Sequence, residues 1–383
     1  MRGKKEKCFQ RGEITPFIVM EILERAKELE RQGRDIVHME IGESDLPPSP
    51  RVLEKIEEVK HQANRYTHSL GIFELREAIA HYYWETYKVD ISPDRVIVTT
   101  GTSGGFSLIF SALFEVGEKI VFTDPGYPCY KNFAHIYCLE PVSVPIGRYT
   151  NYQLTPEMLE DIDLSGFLVT SPSNPVGNIY DRETLKGLAQ WAAEKGKIFI
   201  SDEIYHGLNY SKAVHTALEF SDEAIVVNGF SKYFCMPGFR LGWVIVPKKF
   251  VRKLQLVAQN LFISPPTLSQ LVAIEALKDK TYLQKVRETF RQRRDYLYSE
   301  LRKLFDIEVP PEGAFYIWAN IERYSNDSFK FAFRMLEEAG VAITPGVDFG
   351  KNNTNLYVRF AYTSSLERLK EGVERIKSFL SKF

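Results

Sequence analysis

An apolar run that ends on polar residues decides the fold of this chain, in the stretch Ala224-Ile-Val-Val-Asn-Gly-Phe-Ser-Lys232. A run that is apolar on both faces is typical of a strand buried inside a parallel sheet. Similar runs alternate with helical stretches through the middle of the chain: Arg95–Thr100, Lys119–Asp124, Gly166–Ser171, Lys197–Asp202 and Gly242–Val246. The pattern predicts an α/β fold with a largely parallel sheet that helices cover on both sides.

The pattern changes after about residue 280. A long charged helix is predicted there, followed by two strands and a closing helix, which is typical of a smaller α+β domain. An N-terminal helix precedes a short apolar run and is assigned to the same domain. The predicted elements are a helix from about Phe17 to Gln32, the run Ile36–Glu40, a helix at Tyr282–Leu304, strands at Ala314–Trp318 and Tyr357–Ala361, and a helix from Ser365.

Composition places the chain among ordinary soluble globular proteins. Its 383 residues are enough for two domains, and 44% are hydrophobic and 26% charged. With 49 basic and 50 acidic residues, the net charge of −1 gives no electrostatic attraction to nucleic acid or to an anionic membrane. The expected partners are therefore small molecules or a second copy of the chain.

Neither a targeting segment nor a cysteine framework is predicted. The basic start Met1–Lys7 is followed by no apolar segment of the secretory type, so a cytoplasmic location is expected. Four cysteines (Cys8, Cys129, Cys138 and Cys235) are too few for a disulfide scaffold in a chain of this length. Cys129, His135 and Cys138 match no familiar zinc spacing and lie on a predicted buried helix, so no metal site is expected.

Lys232 is the first candidate for chemistry. A lysine at a strand end inside a fold is desolvated, which lowers its pKa and frees its amine as a nucleophile. Arg240 follows eight residues later and offers a planar fork for a phosphate. Pyridoxal 5'-phosphate (PLP) is the cofactor that needs both an aldehyde-reactive lysine and a phosphate clamp. The alternative is a solvated surface lysine, of which a chain with 49 Lys and Arg has many.

A phosphate-binding site is predicted in Gly101-Thr-Ser-Gly-Gly105, between a strand and a helix expected to begin near Phe106. A helix N-terminus offers unpaired N–H groups and the positive end of a dipole, and the Thr102 and Ser103 hydroxyls add donors. The alternative is a glycine-rich turn with no ligand. The spacing matches neither a dinucleotide fingerprint nor a Walker loop.

Two proline-flanked residues could contact an aromatic cofactor. Tyr127, in Asp124-Pro-Gly-Tyr-Pro128, could present its ring face, although a packed tyrosine in a structural turn is the alternative. Asn174, in Ser171-Pro-Ser-Asn-Pro-Val-Gly177, could donate its amide to a phenolate oxygen. An ordinary Asn-Pro turn would also account for that stretch.

Two charged residues in apolar strands require partners of opposite charge. Asp202 would suit a protonated pyridine nitrogen, whose positive charge makes the ring an electron sink, or else caps a helix. Tyr205, one turn further on, can hydrogen-bond the ring oxygen. Arg359 requires a planar anion, which is either a substrate carboxylate bound by two hydrogen bonds or an internal Asp or Glu.

Taken together, these motifs make the chain resemble PLP-dependent aminotransferases of class I and II, with the aspartate aminotransferase fold. The resemblance implies a large PLP-binding domain at 46–279, with a mostly parallel seven-stranded sheet sandwiched by helices. A smaller α+β domain would combine 1–45 and 280–383. The motifs occur in the order of that family: Glu40–Glu43, Tyr66–Gly71, Ser171–Tyr180, Ser201–Tyr205, Ser231–Arg240, Gly313–Tyr316 and Val358–Ala361.

The resemblance also implies a role for each candidate residue. The catalytic residues would be Lys232, as the Schiff-base lysine and proton carrier, with Asp202 and Tyr205. The substrate would be held by Arg359, the backbone of Gly42 and Asn174. A homodimer with shared active sites follows, in which Tyr66 reaches the phosphate of the neighbouring subunit. The full set of cofactor contacts would be Tyr66, Thr102, Ser103, Tyr127, Asn174, Asp202, Tyr205, Ser231, Lys232 and Arg240.

Some positions depart from the commonest family pattern. Gly229 stands where many members carry a phosphate-binding serine, Phe239 replaces a frequent tryptophan and Ser44 a frequent proline. The segment Phe262–Thr267 contains no arginine where aspartate-specific members bind a distal carboxylate. The amino donor is therefore left open.

The predicted activity is transfer of an amino group from an amino acid to a 2-oxo acid, with 2-oxoglutarate as the expected acceptor and ping-pong kinetics. A PLP-dependent β- or γ-lyase would use the same residues and would release ammonia without a 2-oxo acid. A non-catalytic PLP-binding regulator is a second alternative, although no basic recognition helix precedes Asp45.

Overall fold

The computed structural model describes residues 14 and 16–383. The predictions for Met1–Lys7 and for Cys8 lie outside the described residues. The helices are α1 Ile18–Arg31, α2 Pro50–Val59, α3 Phe73–Tyr87, α4 Gly101–Leu113, α5 Cys129–Ile136, α6 Arg182–Lys195, α7 Lys248–Leu261, α8 Thr267–Lys278, α9 Lys280–Leu301, α10 Ser328–Arg334 and α11 Leu366–Leu380. The strands are β1 Val37–His38, β2 Val96–Thr99, β3 Lys119–Asp124, β4 Glu140–Pro145, β5 Gly166–Thr170, β6 Ile198–Asp202, β7 Ile225–Gly229, β8 Gly242–Ile245, β9 Tyr316–Asn320, β10 Val341–Ala342, β11 Thr344–Pro345 and β12 Tyr357–Ala361.

A seven-stranded sheet forms the centre of the molecule, in the order β2-β8-β7-β6-β5-β3-β4. Strands β7, β6, β5, β3 and β4 run parallel, whereas β8 is antiparallel to both of its neighbours. The predicted α/β fold with a mostly parallel sheet is therefore confirmed. The ends of β6 and β7 lie side by side, which brings the segments that follow them together.

Alternating side chains of the central strands enter two separate hydrophobic cores. Phe167 of β5 and Val226 of β7 belong to the core that α3, α6 and α8 cover. Leu168 and Val227 belong to the core covered by α4, α5 and α7. Because successive side chains of a strand point to opposite faces, these apolar runs are buried on both sides.

A second group of elements combines both ends of the described chain. Strands β11, β12 and β9 form an antiparallel sheet, and β1 pairs in parallel with β10. Helices α1, α9 and α11 pack on these strands around a third hydrophobic core, which includes Ile22, Phe290 and Val373 and extends to Tyr205 and Cys235, in the segments that follow β6 and β7. Side chains from the first segment after α1 and from β12 thereby reach the same edge of the large sheet.

Two element boundaries differ from the sequence-based prediction. Helix α4 begins at Gly101 rather than near Phe106, so the glycine-rich stretch is the first turn of the helix. Strand β4 was not predicted because its segment contains Pro141 and Pro145, which a strand tolerates only at a sheet edge. In the structure, β4 is an edge strand of the seven-stranded sheet.

Three further features of the described residues bear on the predictions. Cys129, Cys138 and Cys235 are free thiols. In residues 14 and 16–383, no group of three His, Cys, Asp or Glu side chains is placed to hold a metal ion. The same part of the chain contains no helix long and apolar enough to cross a bilayer.

Candidate active site

Lys232 lies just past the end of β7, in a partly buried position beside the segment that follows β1. Its amine donates a hydrogen bond to the carbonyl oxygen of Gly42 over 2.6 Å. Burial, reinforced by the positive charges of Arg359 and Arg240, lowers the pKa of Lys232 to about 8. An amine with this pKa is substantially neutral near pH 8 and can act as a nucleophile or a base.

Asp202 is the last residue of β6 and is buried, with 3% of its surface exposed. One carboxylate oxygen accepts from the backbone N–H of Ile204 over 3.1 Å, and the other accepts from the Tyr130 hydroxyl. Desolvation raises the pKa of Asp202 to about 6 despite these donors. No basic side chain pairs with this carboxylate in the described part of the chain, so its need for a cationic partner is not met internally.

The first turn of α4 and Arg240 lie together and could bind an anion. Thr102 and Ser103 lie in that first turn and line the cavity. The Arg240 guanidinium packs so closely on Gly101 that a Cβ there would lie 2.9 Å from its Nη2 atom. Glycine at 101 therefore allows the arginine to reach the helix N-terminus, where both favour a negative ligand.

A pair of tyrosines lines the same cavity as Lys232. The hydroxyls of Tyr205 and Tyr316 are 2.8 Å apart and fully buried, and burial raises the pKa of each. Both rings therefore keep their protons at neutral pH and can donate. Gly42 lies against this pair, since a Cβ at that position would lie 1.9 Å from the Tyr316 hydroxyl oxygen.

Arg359 lies in the middle of β12 and is 3% exposed. It donates to the side-chain oxygen of Asn174 over 2.8 Å, to the Thr344 hydroxyl over 3.1 Å and to the carbonyl of Glu40. Its guanidinium carbon lies 4.2 Å from the centre of the Tyr316 ring. All of these partners are neutral groups. Within residues 14 and 16–383, no Asp or Glu side chain pairs with Arg359, which was the alternative expected from the sequence.

Tyr127 and Tyr66 occupy very different environments. Tyr127 lines the cavity with its ring 5.2 Å from that of Tyr130, in an edge-on arrangement. Tyr66 is 78% exposed and does not line the cavity of its own chain. This position leaves Tyr66 free for a contact outside its own chain.

All of the predicted site residues except Tyr66 line one cavity of about 360 Å³. Its lining combines the ends of β6 and β7, the first turn of α4 and residues from β12. Several lining residues were missed by sequence reasoning: Phe17, Val19, Met20, Leu23 and Tyr130. Tyr130 lies in α5, close to Tyr127 in sequence, but no local pattern distinguishes it from a core tyrosine.

With the geometry established, comparison with known proteins defines the family. The model of the family "Aminotransferase class I and II" matches residues 34–376. A (5-formylfuran-3-yl)methyl phosphate transaminase of Methanocaldococcus jannaschii is 40% identical, over 96% of this chain and 97% of that protein. The chain therefore belongs to the class I and II aminotransferases and is a transaminase, a family whose members depend on PLP.

Solved structures agree with this assignment. A crystal structure of an aminotransferase from Mycobacterium tuberculosis superposes with a TM-score of 0.94, at 36% identity, covering 97% of this chain and 98% of that one. A double mutant of Thermus thermophilus aspartate aminotransferase gives a TM-score of 0.91 at 30% identity, covering 98% and 99%. The predicted family and its aspartate aminotransferase fold are confirmed.

The cavity fits PLP in the chemistry of its donors. A buried carboxylate without a cationic partner suits a pyridinium nitrogen, and an amine of lowered pKa suits an aldehyde. A guanidinium at a helix N-terminus suits a phosphate. Asp202, Lys232 and Arg240 all line one cavity. Each therefore matches a different part of PLP: the ring nitrogen, the aldehyde and the phosphate.

Proposed function

We propose that this transaminase carries out both half-reactions at the cavity around Lys232, with PLP as its cofactor. PLP supplies an aldehyde that combines with amines and a ring that accepts the electrons released from the substrate Cα. Arg359 would bind the substrate carboxylate, and the other predicted residues would hold the cofactor. The lowered pKa of Lys232, together with its position beside Gly42, is the observation that carries this proposal.

The roles proposed for the side chains follow from their proton states. Lys232 would hold the cofactor through its amine, and the freed amine would act as the general base that takes the substrate's Cα proton and as the acid that gives the proton back. Asp202 would hold the pyridine nitrogen as an ionised carboxylate, because a neighbouring positive charge would lower the pKa that burial alone raises. Tyr205 and Asn174 would donate to the ring oxygen.

Arg359 is proposed to orient the substrate by its carboxylate. Its guanidinium is already held by three neutral oxygens, so the carboxylate of an incoming amino acid would be its first negative partner. A carboxylate fixed there would place Cα near the Lys232 amine. This orientation also disfavours loss of the carboxylate, which a decarboxylase requires.

The acceptor, the assembly and the location are also proposals. The sequence predicts 2-oxoglutarate as the acceptor. Exposure of Tyr66 supports a homodimer in which this tyrosine reaches the neighbouring phosphate site. The free thiols of Cys129, Cys138 and Cys235 support a reducing, cytoplasmic environment. The hydrophobic core around α1, α9 and α11 draws mainly on residues 22–39 and 286–380, with Ile204, Tyr205, Leu208 and Cys235 added from the large domain, and this supports the division into 46–279 and 1–45 with 280–383.

Replacing Lys232 tests the proposed chemistry. Lys232→Ala should lose the visible absorbance of the lysine-bound cofactor, and turnover should fall by at least about 10³-fold because both attachment and proton transfer are lost. Lys278→Ala removes an exposed lysine on α8 and serves as the matched control. Comparable turnover by Lys232→Ala would contradict the proposal.

The two half-reactions are tested by steady-state kinetics. Initial rates measured with both substrates varied should give the parallel double-reciprocal plots of a ping-pong reaction. Amino-group transfer should release no ammonia. The lyase alternative would release ammonia from an amino acid without any 2-oxo acid. Release of ammonia from amino acids alone, at the rate of turnover, would favour a lyase over amino-group transfer.

A further inference from the structure

One wall of the cavity is apolar and belongs to the start of α1. Phe17, Val19, Met20 and Leu23 line the cavity there. The neighbouring face of the helix carries Ile22, Ala26 and Leu29, which pack into the core. Met20 contributes little to that core, since 52% of its surface is exposed. Its side chain is therefore available to contact a ligand at the cavity mouth.

Asp348 fixes the position of this wall. Its two carboxylate oxygens accept from the backbone N–H groups of Ile18 and Val19, over 3.0 and 3.2 Å. These N–H groups belong to the first turn of a helix, where a carboxylate is favourable. The next residue, Phe349, packs its ring 4.9 Å from the guanidinium carbon of Arg359. The 348–349 segment thus links the wall to the arginine proposed to bind the substrate carboxylate.

The basic side chains described in the cavity all have proposed roles already. Among the described lining residues, the basic side chains are Lys232, Arg240 and Arg359, and each has a proposed role at the cofactor or the α-carboxylate. Besides Asp202, the acidic lining residues are Glu40 and Glu43. A second carboxylate on the substrate would lie against an apolar wall, without a basic partner among the described lining residues. It would lose part of its hydration there without gaining an ion pair, which lowers its affinity.

We propose that this site accepts amino acids with uncharged apolar side chains, seated on the wall of Phe17, Val19, Met20 and Leu23, and that Asp348 positions this wall. The inference rests on the proposed function and names its donor class. Because both half-reactions use one site, the inference also predicts that pyruvate is a better acceptor than 2-oxoglutarate. That result would correct the acceptor predicted from the sequence.

A donor panel tests the substrate class. The PLP-loaded enzyme is mixed with leucine, phenylalanine, aspartate or glutamate, and the rate at which its visible absorbance disappears is measured against donor concentration. The second-order rate constant for leucine should exceed that for aspartate at least tenfold. Equal or faster reaction with aspartate would overturn the inference and leave the proposed function intact. If no donor changes the absorbance, the proposed function itself fails.

A charge placed on the wall tests whether the side chain lies there. Met20→Arg should raise the aspartate-to-leucine ratio of rate constants at least tenfold, because it places a cation on the wall. Leu53→Arg adds the same charge at an exposed apolar position on α2, outside the cavity, and should keep the ratio of the parent enzyme. An unchanged ratio in Met20→Arg would place the side-chain site elsewhere.

The positioning role of Asp348 has a separate readout. Asp348→Ala should raise the KM for leucine about tenfold while the KM for alanine changes little, since a methyl group is too short to use the wall. Asp348→Asn keeps one acceptor oxygen and should restore part of the loss. Equal increases in KM for leucine and alanine would show that Asp348 acts on the whole site and would overturn its positioning role.

A cation from a second subunit is one further way to bind a distal carboxylate. The exposed loop that carries Tyr66 also carries Arg65. If aspartate proves the better donor and Arg65→Ala reverses that preference, the neighbouring subunit supplies the cation and the apolar class is wrong. An unaltered preference for leucine in Arg65→Ala supports the inference.

Discussion

Arg359 donates to the side-chain oxygen of Asn174 over 2.8 Å, and both residues are buried. Because that oxygen accepts from the guanidinium, the amide nitrogen of Asn174 is turned the other way and remains available as a donor. One hydrogen bond therefore orients both the proposed carboxylate anchor and the proposed donor to the ring oxygen. The two functions are coupled through a neutral amide.

Replacing the anchor while keeping its charge tests the proposed role of Arg359 toward the substrate carboxylate. Arg359→Lys provides a single ammonium group that cannot make two parallel hydrogen bonds to a carboxylate. The KM for the amino donor should rise about 10- to 100-fold, the equivalent of about 1.5–3 kcal/mol. Titration with PLP should show nearly unchanged cofactor binding. A large loss of PLP affinity instead would mean that Arg359 supports the cofactor rather than the substrate.

The pKa of Lys232 predicts how the apoprotein captures PLP. Only the neutral amine attacks an aldehyde, so the capture rate should rise about tenfold per pH unit below pH 8 and level off above it. Stopped-flow measurement of the visible absorbance between pH 6 and about 10 would follow this. N-acetyl-lysine in solution is the control, since its rate should keep rising toward pH 10. The same rising profile in the protein would contradict the lowered pKa.

Asp202 should make the apoprotein less stable at alkaline than at acidic pH. Its pKa is raised from 3.8 to about 6 on folding, so the fold favours the protonated carboxyl. The stabilising effect of that proton is complete below pH 3.8 and is lost as the pH rises to about 6. Asp202→Asn should therefore stabilise the apoprotein at pH 8 by about 1–3 kcal/mol, measured by urea unfolding. A stability difference that is the same at pH 4 and pH 8 would rule out this origin.

Gly42 should tolerate no side chain while Tyr316 keeps its hydroxyl. A Cβ on Gly42 would lie 1.9 Å from that hydroxyl oxygen, so Gly42→Ala should displace Tyr316 from Tyr205 and lower kcat/KM at least tenfold. Gly238→Ala is the matched control, because no heavy atom lies within 4 Å of the added Cβ.

A double variant locates the source of that loss. Tyr316→Phe removes the oxygen atom nearest the added methyl, so Gly42→Ala combined with Tyr316→Phe should lose less than the two single variants added together. Strictly additive losses would show that the alanine acts through the backbone rather than through Tyr316.

Much of the fold was predictable because buried strands of a parallel sheet leave a strong apolar pattern. The bounds of β3 and β12 were predicted to the residue. Strand β4 was not predicted because a half-exposed edge strand with two prolines lacks that pattern. The start of α4 was placed late because glycine has low helix propensity. Close contacts with Arg240, Thr100 and Val244 account for glycine at positions 101, 104 and 105.

The site was predictable in part for a similar reason. Asp202, Lys232 and Arg359 are charged residues at strands or strand ends, where a local pattern marks them as unusual. The contact of Tyr130 with Asp202 and the wall from α1 depend on tertiary packing between segments distant in sequence. An amphipathic helix pattern identifies the face of α1 that enters the core, but it does not show what its other apolar residues meet.

The position of Arg359 between the rings of Tyr316 and Phe349 limits how this enzyme can change in evolution. Re-aiming the guanidinium would require rebuilding two aromatic contacts and three hydrogen bonds at once. The wall of α1, by contrast, reaches the cavity through side chains that can be exchanged one at a time without altering the backbone. With the roles proposed above, new substrate preferences would arise most easily through α1, while the proposed anchor for the α-carboxylate would stay constant.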